Sequence, residues 1–234
     1  MLEFNPGFAS QAIDYIQEWE REAWEGLKPL LAQATASELE AEALVRRGEA
    51  AYRVILEEAE KRRPDLIVMG RRGGTGVSRL LLGSATARVI GLSPVNVLVV
   101  PRDAPLTFRR LLAASDGSPS SQAAWRESLD LARDWASELL AVSVAWKKRE
   151  IAEVEEILTK MSLEAQRQSI PLTALPFLGA PDDAIVRAAL THGADLLILG
   201  SHGRTGIRRL LMGSVTERVI GHAPCPVLVV KRRD

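Results

Sequence analysis

Two stretches place glycines and a serine at the same spacing: Gly200-x2-Gly203-x9-Gly213-Ser214 and Gly70-x2-Gly73-x9-Gly83-Ser84. The chemistry these residue types suit is anion binding. Glycines without a Cβ let backbone N–H groups approach phosphate oxygens closely. Gly213-Ser214 stands where a new helix begins, and a helix N-terminus favours negative charge. A structural reading stands beside this one. Ser214-x-x-Glu217 also reads as a capping box, and Gly203 and Gly206 also serve as turn residues. Better-known phosphate loops do not fit. No G-x-x-x-x-G-K-[ST] run is present, the spacing is not G-x-G-x-x-G, and no kinase signature set occurs.

The two motifs sit inside a longer repeat. The stretch from Asp65, DLIVMGRRGGTGVSRLLLGSATARVIGLSPVNVLVVP, returns from Asp195 as DLLILGSHGRTGIRRLLMGSVTERVIGHAPCPVLVVK. The offset is 130 residues without a gap, and 21 of the 37 paired positions are identical. Chance does not produce this, so the chain contains a duplication.

The elements that must position the loops alternate between strand and helix. In the second copy Arg110–Ser115 reads as a buried strand ending at Asp116-Gly117-Ser118-Pro119. Ser118 is placed to cap a helix over 120–136, with Pro119 at its first position. Strands follow at 139–146 and 172–177. A helix with apolar spacing covers 151–168, and another covers 182–192 before Gly193. Leu196–Leu199 is a fourth strand leading into the glycine loop, and Val227–Val230 is a fifth. Such alternation predicts a parallel α/β sheet with helices on both faces. A loop after a parallel strand lies at the carboxyl edge of the sheet, where α/β proteins bind nucleotides.

The first copy is incomplete. Leu44–Gly48 matches a third strand, 50–62 the next helix, Leu66–Met69 the fourth strand and Val95–Val100 the fifth. Upstream lies one long helical stretch, which Pro29 is expected to break or bend. Nothing corresponds to the first strand, its Asp-Gly-Ser turn, the first helix or the second strand.

The pattern G-x2-G-x9-G-[ST], preceded by D-L-[IL]-[VI]-[ML]-G and followed by a helix and P-C-P-V-L-V-V, resembles the universal stress protein family. Asp116-Gly117-Ser118 adds to the resemblance, which covers about 109–231 and 44–100. It implies a Rossmann-like (adenine nucleotide alpha hydrolase-like) parallel sheet of strand order 3-2-1-4-5 in two tandem repeats. Residues 1–105 would form a partial repeat and 106–234 a complete one. Family members dimerise by pairing fifth strands, so the resemblance implies an intrachain pseudo-dimer and allows a homodimer.

The glycine pattern is that of the ATP-binding subgroup. By resemblance Asp116 would contact the adenine or ribose region, and Val144 would pack on the adenine. Leu199 and Gly200 would line base and ribose. Gly203, Gly213, Ser214 and Val215 would hold ribose and phosphates. The cofactor implied is ATP, with or without Mg2+. Asp116 as a turn cap and Val144 as core remain alternatives. The first repeat keeps Gly70, Gly73, Gly83 and Ser84 as a degenerate second site, without counterparts of Asp116 or Val144. One competent site per chain is expected.

Strand four of the first repeat also loses its neighbour, and unpaired buried backbone is costly. Strand three could move beside it, another chain could fill the gap, or the segment is a truncated copy; the last is the favoured expectation. His202 reads as an exposed loop residue rather than a base. Arg204, Arg208 and Arg209 suit phosphates or a solvated face equally. Cys225, between two prolines, reads as structural.

Composition bounds the function. Thirty Lys+Arg balance thirty Asp+Glu over 234 residues, which argues against a general nucleic-acid binder. At 47% hydrophobic the chain can build a core. One cysteine excludes an intrachain disulfide. No apolar run approaches the roughly 20 residues that span a bilayer, and the N-terminus does not read as a signal peptide, so a cytoplasmic protein is expected. A nucleotide-dependent stress-response binding protein with a still unknown protein partner is the leading reading. An ATPase or phosphotransferase is second, since no P-loop lysine or magnesium cluster is visible. A structural dimerisation module without ligand is third.

Overall fold

A computed structural model describes residues 6–72, 82–203 and 212–232. The chain divides into two compact units, Met1–Glu49 and Ala50–Asp234. The first unit holds one long helix, α1 (Pro6–Ala36), and an irregular tail in which Arg47 Nε bonds Glu20 at 2.5 Å. Pro29 does not break this helix; α1 runs through it. A proline removes one N–H from the ladder, and in this exposed stretch the carbonyl it leaves can turn to water. Leu44–Gly48, expected as a strand, is irregular. A third strand pairs only with a second, and the first repeat has none.

The second unit is built on one sheet. Its elements are α2 (Ala51–Arg62), β1 (Leu66–Gly70), α3 (Ser84–Leu92), β2 (Asn96–Val100), β3 (Arg110–Ala114), α4 (Pro119–Trp135), β4 (Glu138–Ala145), α5 (Ile151–Arg167), β5 (Leu172–Leu178), α6 (Pro181–His192), β6 (Leu196–Gly200), α7 (Ser214–His222) and β7 (Val227–Val230). The seven strands lie in the order β1-β2-β7-β6-β3-β4-β5. Within the second repeat this is strand order 3-2-1-4-5, all parallel. The fifth strands of the two repeats pair antiparallel, with Val97 opposite Val229, Leu98 opposite Leu228 and Val99 opposite Val227. One continuous sheet therefore crosses both repeats.

Local signals explain the elements next to the loops. Ser118 caps α4, its side chain accepting from the Ser121 N–H at 3.2 Å, and Pro119 is the first helical residue. Gly193 closes α6 at φ 62°, a left-handed conformation that favours glycine.

The core has two layers. Helices α2, α3, α6 and α7 pack on one face, with Val89, Ile90, Ile185 and Ile220 against Val97, Leu112 and Leu197. Helices α4 and α5 pack on the other, with Trp125, Leu129, Val154 and Leu158 against Leu111, Leu196 and Ile198. That second layer stops short of β1. Ile67 faces the covered side, whereas Leu66 and Val68 point the other way and are exposed. Among the described residues no strand pairs with the outer edge of β1.

The repeats also exchange helix caps. Arg71 donates from Nη1 to the carbonyls of Gly221 (3.3 Å) and Ala223 (3.1 Å) at the end of α7. Lys231 donates from Nζ to Ile90 (2.5 Å) and Gly91 (3.3 Å) in the last turn of α3. Cations suit these positions because the last carbonyls of a helix lack intrahelical partners. Burial pushes the pKa of both cations down, and the neighbouring Arg72 adds to this at Arg71.

Candidate functional site

The parallel strands β3, β4 and β6 end at the same edge, and a cavity of about 340 Å3 opens there. It lies at the point where the chain path reverses on the sheet, since β4 and β6 flank β3 on opposite sides. After β3 the chain turns through Ser115 and Asp116. The Asp116 carboxylate accepts from the Ser118 N–H at 3.0 Å, which fixes the turn. Ser115 and Ser121 hydroxyls bond each other at 3.1 Å beneath it.

The glycine loop after β6 is tied at both ends. Gly213 N–H donates to the Ser201 carbonyl at 3.0 Å, and Thr216 Oγ1 donates to the Gly200 carbonyl at 3.0 Å. His202 N–H donates to Ser120 Oγ at 3.3 Å, joining the loop to α4. The glycines are required by close approach. A Cβ on Gly200 would lie 2.7 Å from the Ser120 carbonyl carbon, and one on Gly203 would lie 2.8 Å from Asp116 Oδ2.

The cavity gathers all eight residues singled out in the second repeat. Asp116 comes from the turn after β3, Val144 from β4, and Leu199 and Gly200 from β6; Gly203, Gly213, Ser214 and Val215 come from the loop and the start of α7. Ser214 is not the helix cap. Gly213 holds that position with no side-chain cap bond, so the expected capping box does not form. The helix instead begins one residue earlier than the motif suggests, which makes Ser214 its first residue and leaves that residue lining the cavity.

In the first repeat Gly70, Gly83 and Ser84 lie in the same local frame; Gly73 lies outside the described residues. Gly83 N–H donates to the Arg71 carbonyl at 3.0 Å, and Thr86 Oγ1 donates to Gly70 at 3.1 Å. These match the second repeat within 0.1 Å, yet no strand flanks Gly70 on the outer side of β1 among the described residues. Arg204, Gly206, Arg208 and Arg209 lie outside the described residues.

A model of the universal stress protein family matches residues 3–101 and 107–231. The chain belongs to the universal stress protein family. It is similar to a universal stress protein of Methanocaldococcus jannaschii, at 32% identity over 143 residues, covering 53% of this chain and 83% of that one. It is also similar to one of Mycobacterium bovis, at 28% identity over 193 residues, covering 72% of this chain and 62% of the relative. Among solved structures, a universal stress protein from Archaeoglobus fulgidus superposes with a TM-score of 0.76 at 26% identity, over 94% of this chain and 80% of that chain.

Several residues of this universal stress protein escaped the sequence reading. Thr86 and Thr216 close the two loops, and their shared place sixteen residues after Gly70 and Gly200 was the available signal. Ser143, Trp146 and Glu150 also line the cavity. His202 stands at the rim with Nδ1 3.1 Å from Ser201 Oγ. Among the described residues no group of three or more His, Cys, Asp or Glu could hold a metal, and no helix is long and apolar enough to cross a membrane.

Cys225 is buried just before β7. Burial, with the Asp195 carboxylate adding to it, pushes its thiol up to about 12 from 9.0. The folded thiol stays protonated while the unfolded one ionises. This stability is therefore whole below about pH 9 and is lost as pH rises toward 12, about 4 kcal/mol in all at 1.36 kcal/mol per unit. At pH 8 the native chain is expected to resist a thiol reagent that labels it stoichiometrically in denaturant. Cys225→Ala should shift the alkaline unfolding midpoint upward. Rapid native labelling would refute this.

Proposed function

We propose that this universal stress protein binds one adenine nucleotide per chain, ATP being the reference ligand, in the second repeat (106–234). The observation that carries this is the convergence of three strand ends and one helix start on a single cavity. Leu199, Ile185 and Val144 give it an apolar wall suited to a base. The first backbone N–H groups of α7 have no intrahelical acceptors and suit phosphate oxygens. Gly203 permits the loop to reach Asp116. These residues fit the nucleotide; the described residues offer no cluster for Mg2+ beyond Asp116 itself.

The protein acts as a nucleotide-dependent regulator that changes partners on binding, rather than as an enzyme. Binding-linked stabilisation of the folded chain is the means. Residues 1–105 serve as the partial repeat, whose fifth strand supports that of the complete one and whose loop is structural. The loop ties of that half persist without a counterpart of Asp116 or Val144, which favours the structural-module reading there.

Titration with ATP and magnesium, followed by native mass spectrometry, tests the proposal. One nucleotide per chain is expected, and Asp116→Ala should weaken binding at least tenfold. Two equal sites would refute the assignment to one repeat. Phosphate release would favour the enzyme, and no binding would favour the structural module.

A further inference from the structure

Each repeat sends one cation to the last carbonyls of the other repeat's loop helix, and the two caps are not copies of one another. At the 130-residue offset Arg71 corresponds to Ser201, and Lys231 to Pro101. Neither cap is therefore a feature that the repeats share. Arg71 bonds the Ile220 (3.5 Å), Gly221 (3.3 Å) and Ala223 (3.1 Å) carbonyls through Nη1. Its own backbone is held by the first repeat. The Arg71 N–H donates to the Val100 carbonyl at 3.0 Å, and its carbonyl accepts from the Gly83 N–H at 3.0 Å.

The helix that Arg71 caps is the one whose start lines the cavity. Helix α7 has nine residues and is about 13 Å long. Ser214 and Val215 at its start line the cavity, and Val219 and Ile220 bury its middle. Apolar burial is non-directional, so it holds the helix on the sheet without fixing its place along its own axis. Directional bonds at the two ends do that. Thr216 Oγ1 ties the start to the Gly200 carbonyl, and Arg71 ties the finish. Helix α3 receives the reciprocal cap from Lys231, but its loop has no counterpart of Asp116 or Val144 beside it.

We propose that Arg71 of the first repeat is a positioning residue for the nucleotide site of the second: by holding the last carbonyls of α7 it sets where the first N–H groups of that helix meet the phosphates. The inference rests on the nucleotide site proposed above. It concerns the phosphate end alone, because the apolar wall for the base comes from Val144 on β4, Ile185 on α6 and Leu199 on β6. It also gives the degenerate glycine loop a task. Gly83 holds the backbone of Arg71, so that loop anchors the cation which serves the other site.

The test titrates the full chain with ATP and with adenosine, and records Tm without ligand. Arg71→Met should weaken ATP about fivefold and leave adenosine unchanged. Arg71→Lys keeps a cation at the same carbonyls and should recover most of the ATP affinity. Lys231→Met removes the other cap; it should lower Tm as Arg71→Met does, yet bind ATP like the parent. If Arg71→Met does not fold, Arg71→Gln, which keeps a neutral donor, should show the same selective loss. Parent-like ATP affinity in the folded Arg71 variant overturns the inference. So does an adenosine loss equal to the ATP loss. So does an equal ATP loss in Lys231→Met, since affinity would then follow stability alone. If the parent chain binds no ATP, the site reading fails together with this one. If the parent binds ATP and Arg71→Met binds it equally well, only this inference fails.

Discussion

Gly200→Ala is expected to destabilise the protein by about 3 kcal/mol, while Gly70→Ala, the same change in the other repeat, should cost almost nothing. Both glycines end a parallel strand and open the same loop. Their surroundings differ. The added Cβ at Gly200 would meet the carbonyl carbon and Oγ of Ser120 at 2.7 Å and its carbonyl oxygen at 2.8 Å. Two of these atoms are backbone in the first turn of α4, so no rotamer change relieves the clash. Either β6 or the start of α4 must move, and the His202–Ser120 bond goes with it. At Gly70 the nearest atom is the Arg72 carbonyl oxygen at 3.4 Å, because no helix corresponds to α4 there. Gly203→Ala separates site from fold. Its Cβ would press on Asp116 Oδ2 at 2.8 Å, the far end of a side chain. Stability should change little, and nucleotide affinity should fall. Thermal melts of the three variants, with and without ATP, check all of this. Equal losses at Gly200 and Gly70 would refute the packing account.

The same contrast explains what could be read beforehand. The second repeat was legible because each signal agreed with its neighbours: apolar runs for strands, Ser118-Pro119 to start α4, Gly193 to end α6. The five-strand order came from resemblance, since periodicity alone does not give the neighbours of a strand. Leu44–Gly48 misled because strand character depends on a partner, and the apolar residues that matched the other repeat had no second strand to pair with. Pro29 leaves α1 unbroken for the opposite reason. A long exposed helix tolerates one lost bond where a buried one would not. The site residues on backbone motifs were readable from glycine spacing. Ser143 and Trp146 were not, because a serine within an apolar run and a tryptophan after it look like ordinary strand residues. Only their place in the lining of the cavity distinguishes them.

The missing half of the first repeat leads to the other large effect. Val68 and Ile198 are the same position in the two copies, 130 residues apart. Ile198 is 0% exposed; it lies beneath α4, and its strand is flanked by β3 and β7. Val68 is 60% exposed, on a strand flanked only by β2. Ile198→Ala removes three methyl(ene) groups from a filled interior that relaxes only in part, and should cost about 3–4 kcal/mol. For a chain of this size that lowers Tm by on the order of 10 °C. Val68→Ala leaves no cavity, since solvent already fills the space, and should cost at most about 1 kcal/mol through lost strand propensity. The one extra methylene in isoleucine accounts for only about 0.8 kcal/mol of the difference. Denaturant unfolding of both variants gives the comparison directly. A loss at Val68 equal to that at Ile198 would mean that β1 is covered in solution by something that α4 and β3 supply in the complete repeat. A near-zero loss would mean that the sheet ends at β1 and that the partial repeat is stabilised through α2, α3 and its antiparallel pairing with β7.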